Sequence, residues 1–306
     1  MIERVIAAQI LSEVIEEGHS LTTTLNANLS RVKDIRDKAF VQALCYGVIR
    51  HYYQLDFILS RLLKKPLKRK DGDIKALLLL GIYQLQYMRV KAHAAVSETV
   101  LAAKHKPWAK SLVNAVLRQY LRDSEALQQA CSVDKQACYR HPAWMIAELE
   151  NNWHEQAEAI LDANNQFPPM FLRVNLLQGS RVDYLEQLSQ LGIVGHVVSY
   201  CDTAILLDQA VGVEQLPGFD LGRVSVQDIA AQLSAELLEV KSGHRVLDIC
   251  AAPGGKTAAI LERQPQIQSL LAVDIDEQRL NRVKDNLQRL KLKADLLVAD
   301  ASFSEN

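Results

Sequence analysis

The sequence lacks most of the features that would assign it at a glance. Its five cysteines are scattered along 306 residues, so it is no disulfide-stapled scaffold; without an export signal the chain reads as reduced and cytoplasmic. The longest apolar run, Ala76 to Tyr83, falls far short of the roughly 20 residues that span a bilayer. Glu3, Glu13, Glu16 and Glu17 interrupt the N-terminus too often for a signal peptide. There is no internal repeat and no low-complexity tract. Apolar residues make up 49% and charged residues 23%, which excludes a disordered tail or a collagen-like fibre. What is there is apolar material for a core in each of about two domains, at roughly 150 residues apiece.

The net charge of -1 hides a division. Residues 1–130 hold 20 Lys and Arg against 12 Asp and Glu, a balance of +8, and the other 176 residues hold 15 against 24, a balance of -9. Within residues 31–122 the count is 19 basic to 6 acidic, an excess of +13. Such asymmetry suggests a part that meets a polyanion joined to a part with another task.

Periodicity supports the same division. Apolar residues recur at three- and four-residue steps over Ile2–Ile15, Lys38–Ile49, Leu55–Leu63, Ile74–Val90, Ala95–Lys104 and Ser111–Leu121, so the first 165 residues are expected to be all-α. Helices over Pro142–Asn151 and Glu155–Ala163 lead to the breaker Gln166-Phe167-Pro168-Pro169. Short strands then suit Phe171–Asn175, Val194–Ser199, Ala204–Leu207 and Arg223–Gln227, with helices over Val182–Leu191 and Ile229–Leu238, a small α+β segment. From Arg245 strand and helix alternate: Arg245–Cys250, Thr257–Arg263, Leu270–Asp274, Glu277–Leu290 and Ala294–Ala299. That order implies a parallel, doubly wound sheet.

The sharpest motif joins the first of these strands to its helix: Val246-Leu247-Asp248-Ile249-Cys250-Ala251-Ala252-Pro253-Gly254-Gly255-Lys256-Thr257. Ligands of such sheets bind at strand carboxyl ends, where glycine lets the backbone approach closely. A P-loop needs G-x-x-x-x-G-K-[ST], and its first glycine would fall at Cys250; a dinucleotide G-x-G-x-x-G is absent too. Asp274 and Asp276 stand 19 and 21 residues after Gly255, about where a carboxylate receives ribose hydroxyls. A glycine turn with a second-strand acid and no phosphate cradle suits a nucleoside-type cofactor, S-adenosyl-L-methionine above all. Asp276 fits the cap of the Glu277 helix better than Asp274 does, which leaves Asp274 as the ligand. Asp300, after the third strand, either sits beside the adenine or serves the turn.

Cys-Ala-Ala-Pro-Gly-Gly-Lys-Thr at 250–257, with Ala-Val-Asp-Ile-Asp-Glu-Gln-Arg-Leu at 272–280, resembles the cofactor signature of RNA cytosine-5 methyltransferases. Val226-Gln227-Asp228 with Ala230, Ala231 and Gln232 resembles the element that precedes it in that family. The helical part is similar to a NusB-like RNA-binding domain in Leu44-Cys45-Tyr46-Gly47-Val48-Ile49-Arg50, Gly81-Ile82-Tyr83-Gln84-Leu85, the 93–100 stretch from His93 to Val100, and Asn114-Ala115-Val116-Leu117-Arg118. The combination resembles the RsmB family of 16S rRNA cytosine-5 methyltransferases over the whole chain. The resemblance implies a multidomain fold: a NusB-like helical domain over 1–140, a helical linker and α+β connector over 141–240, and the first half of a Rossmann-like methyltransferase domain over 241–306. It implies that Cys250, Ala251, Ala252, Pro253, Gly254, Gly255, Lys256, Asp274 and Asp300 line an S-adenosyl-L-methionine site. The partner it implies is 16S rRNA; no membrane, metal or second copy of the chain is expected.

The sequence departs from the family in one respect. Carbon 5 of cytosine accepts a methyl group only after a cysteine thiolate adds to carbon 6, and the resemblance implies Pro-Cys and Thr-Cys motifs beyond the third strand. Here the cysteines follow Leu44, Ala130, Ala137, Tyr200 and Ile249, so neither dipeptide occurs. Cys250 is expected to be a packed, inert thiol. The chain is expected to lack a catalytic nucleophile and to be inactive, with Arg245–Cys250 left as an open sheet edge. A non-catalytic NusB-like RNA-binding protein with a vestigial cofactor domain is the alternative.

Weaker signals have plainer readings. Lys64, Lys65, Lys68, Arg69 and Lys70, with Lys104, Lys106, Lys110, Arg118 and Arg122, either form a solvated charge run or contact RNA phosphates; the local excess and the NusB-like resemblance favour RNA. Cys131, Cys138 and His141 lack a CxxC pair and a fourth ligand, which argues against zinc. His93 suits the start of its helix. Trp108, Trp144 and Trp153 are expected in the core, and His51-Tyr52-Tyr53 is expected to pack rather than stack on bases.

Overall fold

A computed structural model describes residues 2–302; Met1 and 303–306, the extremities of the two outer segments expected above, lie outside the described residues. The chain divides into two compact units, Met1–Gln166 and Phe167–Asn306.

The first unit is helical throughout: α1 (Ile2–Glu17), α2 (Leu21–Leu29), α3 (Ile35–Arg50), α4 (Tyr52–Leu62), α5 (Gly72–Tyr87), α6 (Ala92–Ala102), α7 (Pro107–Val133), α8 (Lys135–Tyr139), α9 (Ala143–Trp153) and α10 (Ala157–Asn165). Its centre is α5, where Ala76 to Leu80 and Ile82 are all buried. A helix apolar on every side must be surrounded, and α5 packs against α1, α3, α4, α6 and α7. Gly81 permits the α7 contact, since a Cβ there would lie 2.8 Å from the Leu117 side chain. No helix among the described residues is long and apolar enough to cross a membrane.

Two differences from the sequence reading have local causes. The helix expected over Ser111–Leu121 runs on to Val133, because Leu127 and Cys131 continue its buried stripe past a polar turn. The helix α2 went unforeseen. Leu-Thr-Thr-Thr-Leu-Asn-Ala-Asn-Leu is poor in helix formers and buries only Thr24 and Leu25, so packing against α1 and α3 decides it.

Among the described residues the second unit holds two sheets. The first is antiparallel, in the order β2 (Gly195–Val197), β3 (Ala204–Leu207), β1 (Met170–Val174), β4 (Val224–Val226), with α11 (Arg181–Gln190) between β1 and β2. In register, Phe171 faces Leu206 and Arg173 faces Ser225. After α12 (Ile229–Leu237) comes a parallel sheet ordered β5 (Arg245–Ile249), β6 (Ser269–Asp274), β7 (Asp295–Val298), with crossover helices α13 (Gly255–Arg263) and α14 (Glu277–Leu290). Leu280, Val283, Leu287 and Leu290 turn one face of α14 into a core with Ala258, Leu261 and Ala272. Among the described residues β5 pairs only with β6, and Leu247 and Ile249 are 61% and 55% exposed.

Candidate functional site

The chain leaves β5 at Ile249 and turns at once. Cys250 has φ +61° and Gly254 φ +93°. Gly254 is required twice over. Side chains rarely adopt that φ, and a Cβ would lie 2.9 Å from Val283 Cγ1 and 3.1 Å from Val283 Cα, so the loop rests directly on α14. The Ala251 N–H donates to the Val273 carbonyl at 3.0 Å, and the Gly254 N–H donates to the Ala251 carbonyl at 2.7 Å. The Ala252–Pro253 peptide is cis. Because α13 starts at Gly255, its first unpaired N–H groups lie at the end of this loop, where an anionic or acceptor group is favoured.

Asp274 ends β6 and is buried beneath the loop. Its Oδ2 accepts the Ala252 N–H at 3.1 Å and its Oδ1 accepts the Asp276 N–H at 3.2 Å. Arg279 Nη2 stands 3.6 Å from Oδ2. A carboxylate offers about four lone-pair sites, so these two hydrogen bonds do not exhaust its acceptor capacity. Capping falls to Asp276, whose Oδ1 accepts the N–H groups of Gln278 at 2.8 Å and Arg279 at 3.1 Å. The capping role read for Asp276 is the one the structure gives it.

Asp300 emerges beside the end of β6, where the Ala299 N–H donates to the Asp274 carbonyl at 3.2 Å. The Ser302 hydroxyl at 2.7 Å and backbone N–H at 2.9 Å both donate to Asp300 Oδ1 and hold its carboxyl below the ordinary 3.8. It serves the turn as well as standing at the strand end. Residues 250–256, Asp274 and Asp300 thus occupy the carboxyl ends of three adjacent strands.

Cys250 corrects an expectation: its thiol is exposed, not packed. The positive φ breaks the strand alternation and turns the residue out of the sheet. Two further residues escaped the sequence reading. The Thr257 hydroxyl donates to Asp248 Oδ2 at 2.6 Å, tying the end of β5 to the first turn of α13. Ile275, between the two aspartates, is exposed although apolar. The signal for both was their place inside the motif, which spacing alone did not turn into roles.

In the helical unit Lys64, Lys65, Lys68, Arg69 and Lys70 are all exposed, on the segment between α4 and α5. Arg69 Nη2 donates to the Glu16 carbonyl at 2.9 Å, which anchors that segment to α1. Lys106 is otherwise engaged: its Nζ lies 2.7 Å from Asp73 and 3.0 Å from Asp71 and donates to the Lys70 carbonyl at 3.2 Å. It buttresses the cluster rather than extending it. The three tryptophans are another correction, at 50%, 69% and 53% exposed for Trp108, Trp144 and Trp153. Each occupies the second or last residue of its helix, where the inward stripe has not begun or has ended. His51 packs as expected, stacked on Tyr87 at 3.9 Å between ring centroids. Burial, with Arg140 and Arg50 nearby, pushes it down to about 4, so the ring is neutral at pH 7.

Comparison with known proteins matches three stretches of the chain. Residues 1–122 match the NusB family, residues 141–214 the ferredoxin-like domain of RsmF/B-like methyltransferases, and residues 235–306 the 16S rRNA methyltransferase RsmB/F family. The ribosomal RNA small subunit methyltransferase B of Pseudomonas syringae pv. tomato is 46% identical over 300 residues, covering 97% of this chain and 67% of that protein. Those of Pseudomonas putida and Vibrio cholerae are 47% and 44% identical, over 69% and 70% of their lengths. Among solved structures PH0851 superposes with a TM-score of 0.74 at 18% identity, over 98% of this chain and 70% of that one. A methyltransferase homologue from Pyrococcus horikoshii superposes at 0.50 with 26% identity, over 55% of this chain and 56% of that one.

Proposed function

The chain belongs to the RsmB/F family of 16S rRNA methyltransferases, and from that premise we propose how its own residues divide the work. Residues 1–140 bind 16S rRNA through Lys64, Lys65, Lys68, Arg69 and Lys70. Residues 141–240 connect, and residues 241–306 hold S-adenosyl-L-methionine for methylation at carbon 5 of one cytosine. The protein works as a cytoplasmic monomer without a metal.

The observation that carries the cofactor reading is Asp274, buried at the end of β6 with acceptor capacity to spare, beneath a loop pressed onto α14 at Gly254. When bound, S-adenosyl-L-methionine supplies an activated methyl group on a sulfonium. Asp274 accepts a ribose hydroxyl while holding the Ala252 N–H, which fixes the loop around the nucleoside. The exposed Ile275 offers an apolar surface to a purine face, and Asp300 stands at the neighbouring strand end. Cys250 to Lys256 surround the remaining, methionine portion, with the α13 N-terminus favouring its carboxylate.

None of the five cysteines stands in a Pro-Cys or Thr-Cys pair. Within these 306 residues we assign cofactor and RNA binding and name no residue as the methyl-transfer nucleophile. Titration calorimetry with S-adenosylhomocysteine tests the first half. The chain should bind, and Asp274→Ala should bind at least about tenfold more weakly through loss of a charged hydrogen bond; equal affinities would refute the assignment. Tritiated-methyl transfer to unmodified 16S rRNA tests the second half. Any turnover by the 306-residue chain contradicts it.

A further inference from the structure

We propose that Arg173 is a positioning residue for the cofactor loop, through which the antiparallel sheet sets the register of α13. The proposal rests on the cofactor reading above. Arg173 lies on β1, outside the motif, and its side chain is 2% exposed. Its Nε and Nη2 each donate to the Glu262 carboxylate at 2.8 Å, a bidentate pair. Its Nη1 donates to the Gly255 carbonyl at 2.8 Å and to Gln227 Oε1. Four of the five guanidinium N–H groups are therefore committed.

Gly255 and Glu262 are the first and eighth residues of α13, seven apart and so on one face two turns distant. A rigid planar fork gripping both points fixes the rotation of the helix and its position along its axis. Gly255 follows Gly254 directly, so holding its carbonyl holds the end of the loop that engages Asp274. The fork is itself held: a Cβ on Gly255 would meet Gln227 Nε2 at 3.3 Å, and the Gln227 carbonyl accepts from Gln232 Nε2 at 2.9 Å. Burying such a pair gives little net stability, since apolar residues of similar volume do as well or better. Its use here is geometric.

A second arginine straps the same sheet without touching the loop. Arg289 on α14 donates through Nη1 to the carbonyls of Phe219 at 2.6 Å and Val224 at 3.0 Å, and through Nη2 to Ser225 Oγ at 2.9 Å. It serves as the control, a strap of structural role alone.

The test uses the full chain and two readouts, S-adenosylhomocysteine affinity and amide exchange at Gly254–Thr257. The variants are Arg173→Lys, which keeps the charge and loses the fork, and the paired Arg173→Met with Glu262→Met, which leaves no bare buried charge. Both should weaken binding about tenfold, in line with other residues that orient a ligand-contacting group, and should speed loop exchange. Arg289→Met should lower the melting temperature and change neither readout. If the paired variant melts like the parent with loop exchange unchanged, or if Arg289→Met shifts both readouts as much, the proposal is overturned. A parent chain that fails to bind S-adenosylhomocysteine refutes the cofactor reading instead, and loop exchange alone then decides on Arg173.

Discussion

The helical unit and the parallel sheet satisfy their backbones in opposite ways. Between its ends α5 satisfies its backbone from turn to turn of the helix itself, and Ala76 to Leu80 are enclosed by α1, α3, α4, α6 and α7. The strand β5 takes its hydrogen bonds from β6 alone among the described residues, and Leu247 and Ile249 remain exposed. A helix completes its bonding locally, whereas a strand depends on what lies beside it. The helical unit therefore closes over its own core. The strands of the parallel sheet depend on neighbours for both bonding and cover.

The largest effect that would sharpen this contrast lies in the cores. Leu78→Ala, at a fully buried site on α5, should cost about 2–5 kcal/mol. Leu247→Ala should cost no more than about 0.5 kcal/mol, as at other exposed positions. Urea unfolding of the two variants checks the pair, and equal losses would break the comparison. A smaller effect concerns charge. Lys64→Gln with Lys65→Gln should weaken RNA binding at every sequence and lower the slope of log affinity against log salt by about one per lost phosphate contact. An unchanged slope would remove that segment from the interface.

The smallest effect concerns His51. An unfolded chain protonates histidine near 6.5, while the folded ring resists until about 4. The unfolded state therefore binds more protons between these values, and stability falls as pH drops from 6.5 toward 4 and levels off below. The His51→Asn variant should show a flatter melting-temperature profile across that window. A parallel profile would assign the acid sensitivity elsewhere.

What could be read in advance follows from how local its cause is. The helix Glu277–Leu290 has the same ends in sequence and structure because Asp276 caps it and its apolar stripe is regular. The place of Asp274 at the end of β6 was legible because strand, glycine turn, helix and second strand follow in a regular order. Helix α2 was not, since its stability comes from neighbours rather than from its own threonines. The tryptophans misled because apolar character says nothing about a position at a helix end. The Arg173 fork was invisible for a different reason. Glu262 lies 89 residues away, and no pattern along the chain pairs two charges that only folding brings together.

The central claim, that the cofactor is held by the second unit while the helical unit stands alone, is tested most directly by limited proteolysis with and without S-adenosyl-L-methionine. Without cofactor the fragment 167–302 should be cut first and 2–166 should persist. Saturating cofactor should slow cleavage of 167–302 by up to the factor 1 + L/Kd, L being the free cofactor concentration, and leave the helical fragment unaffected. A second unit as resistant as the first, and indifferent to cofactor, would contradict the account.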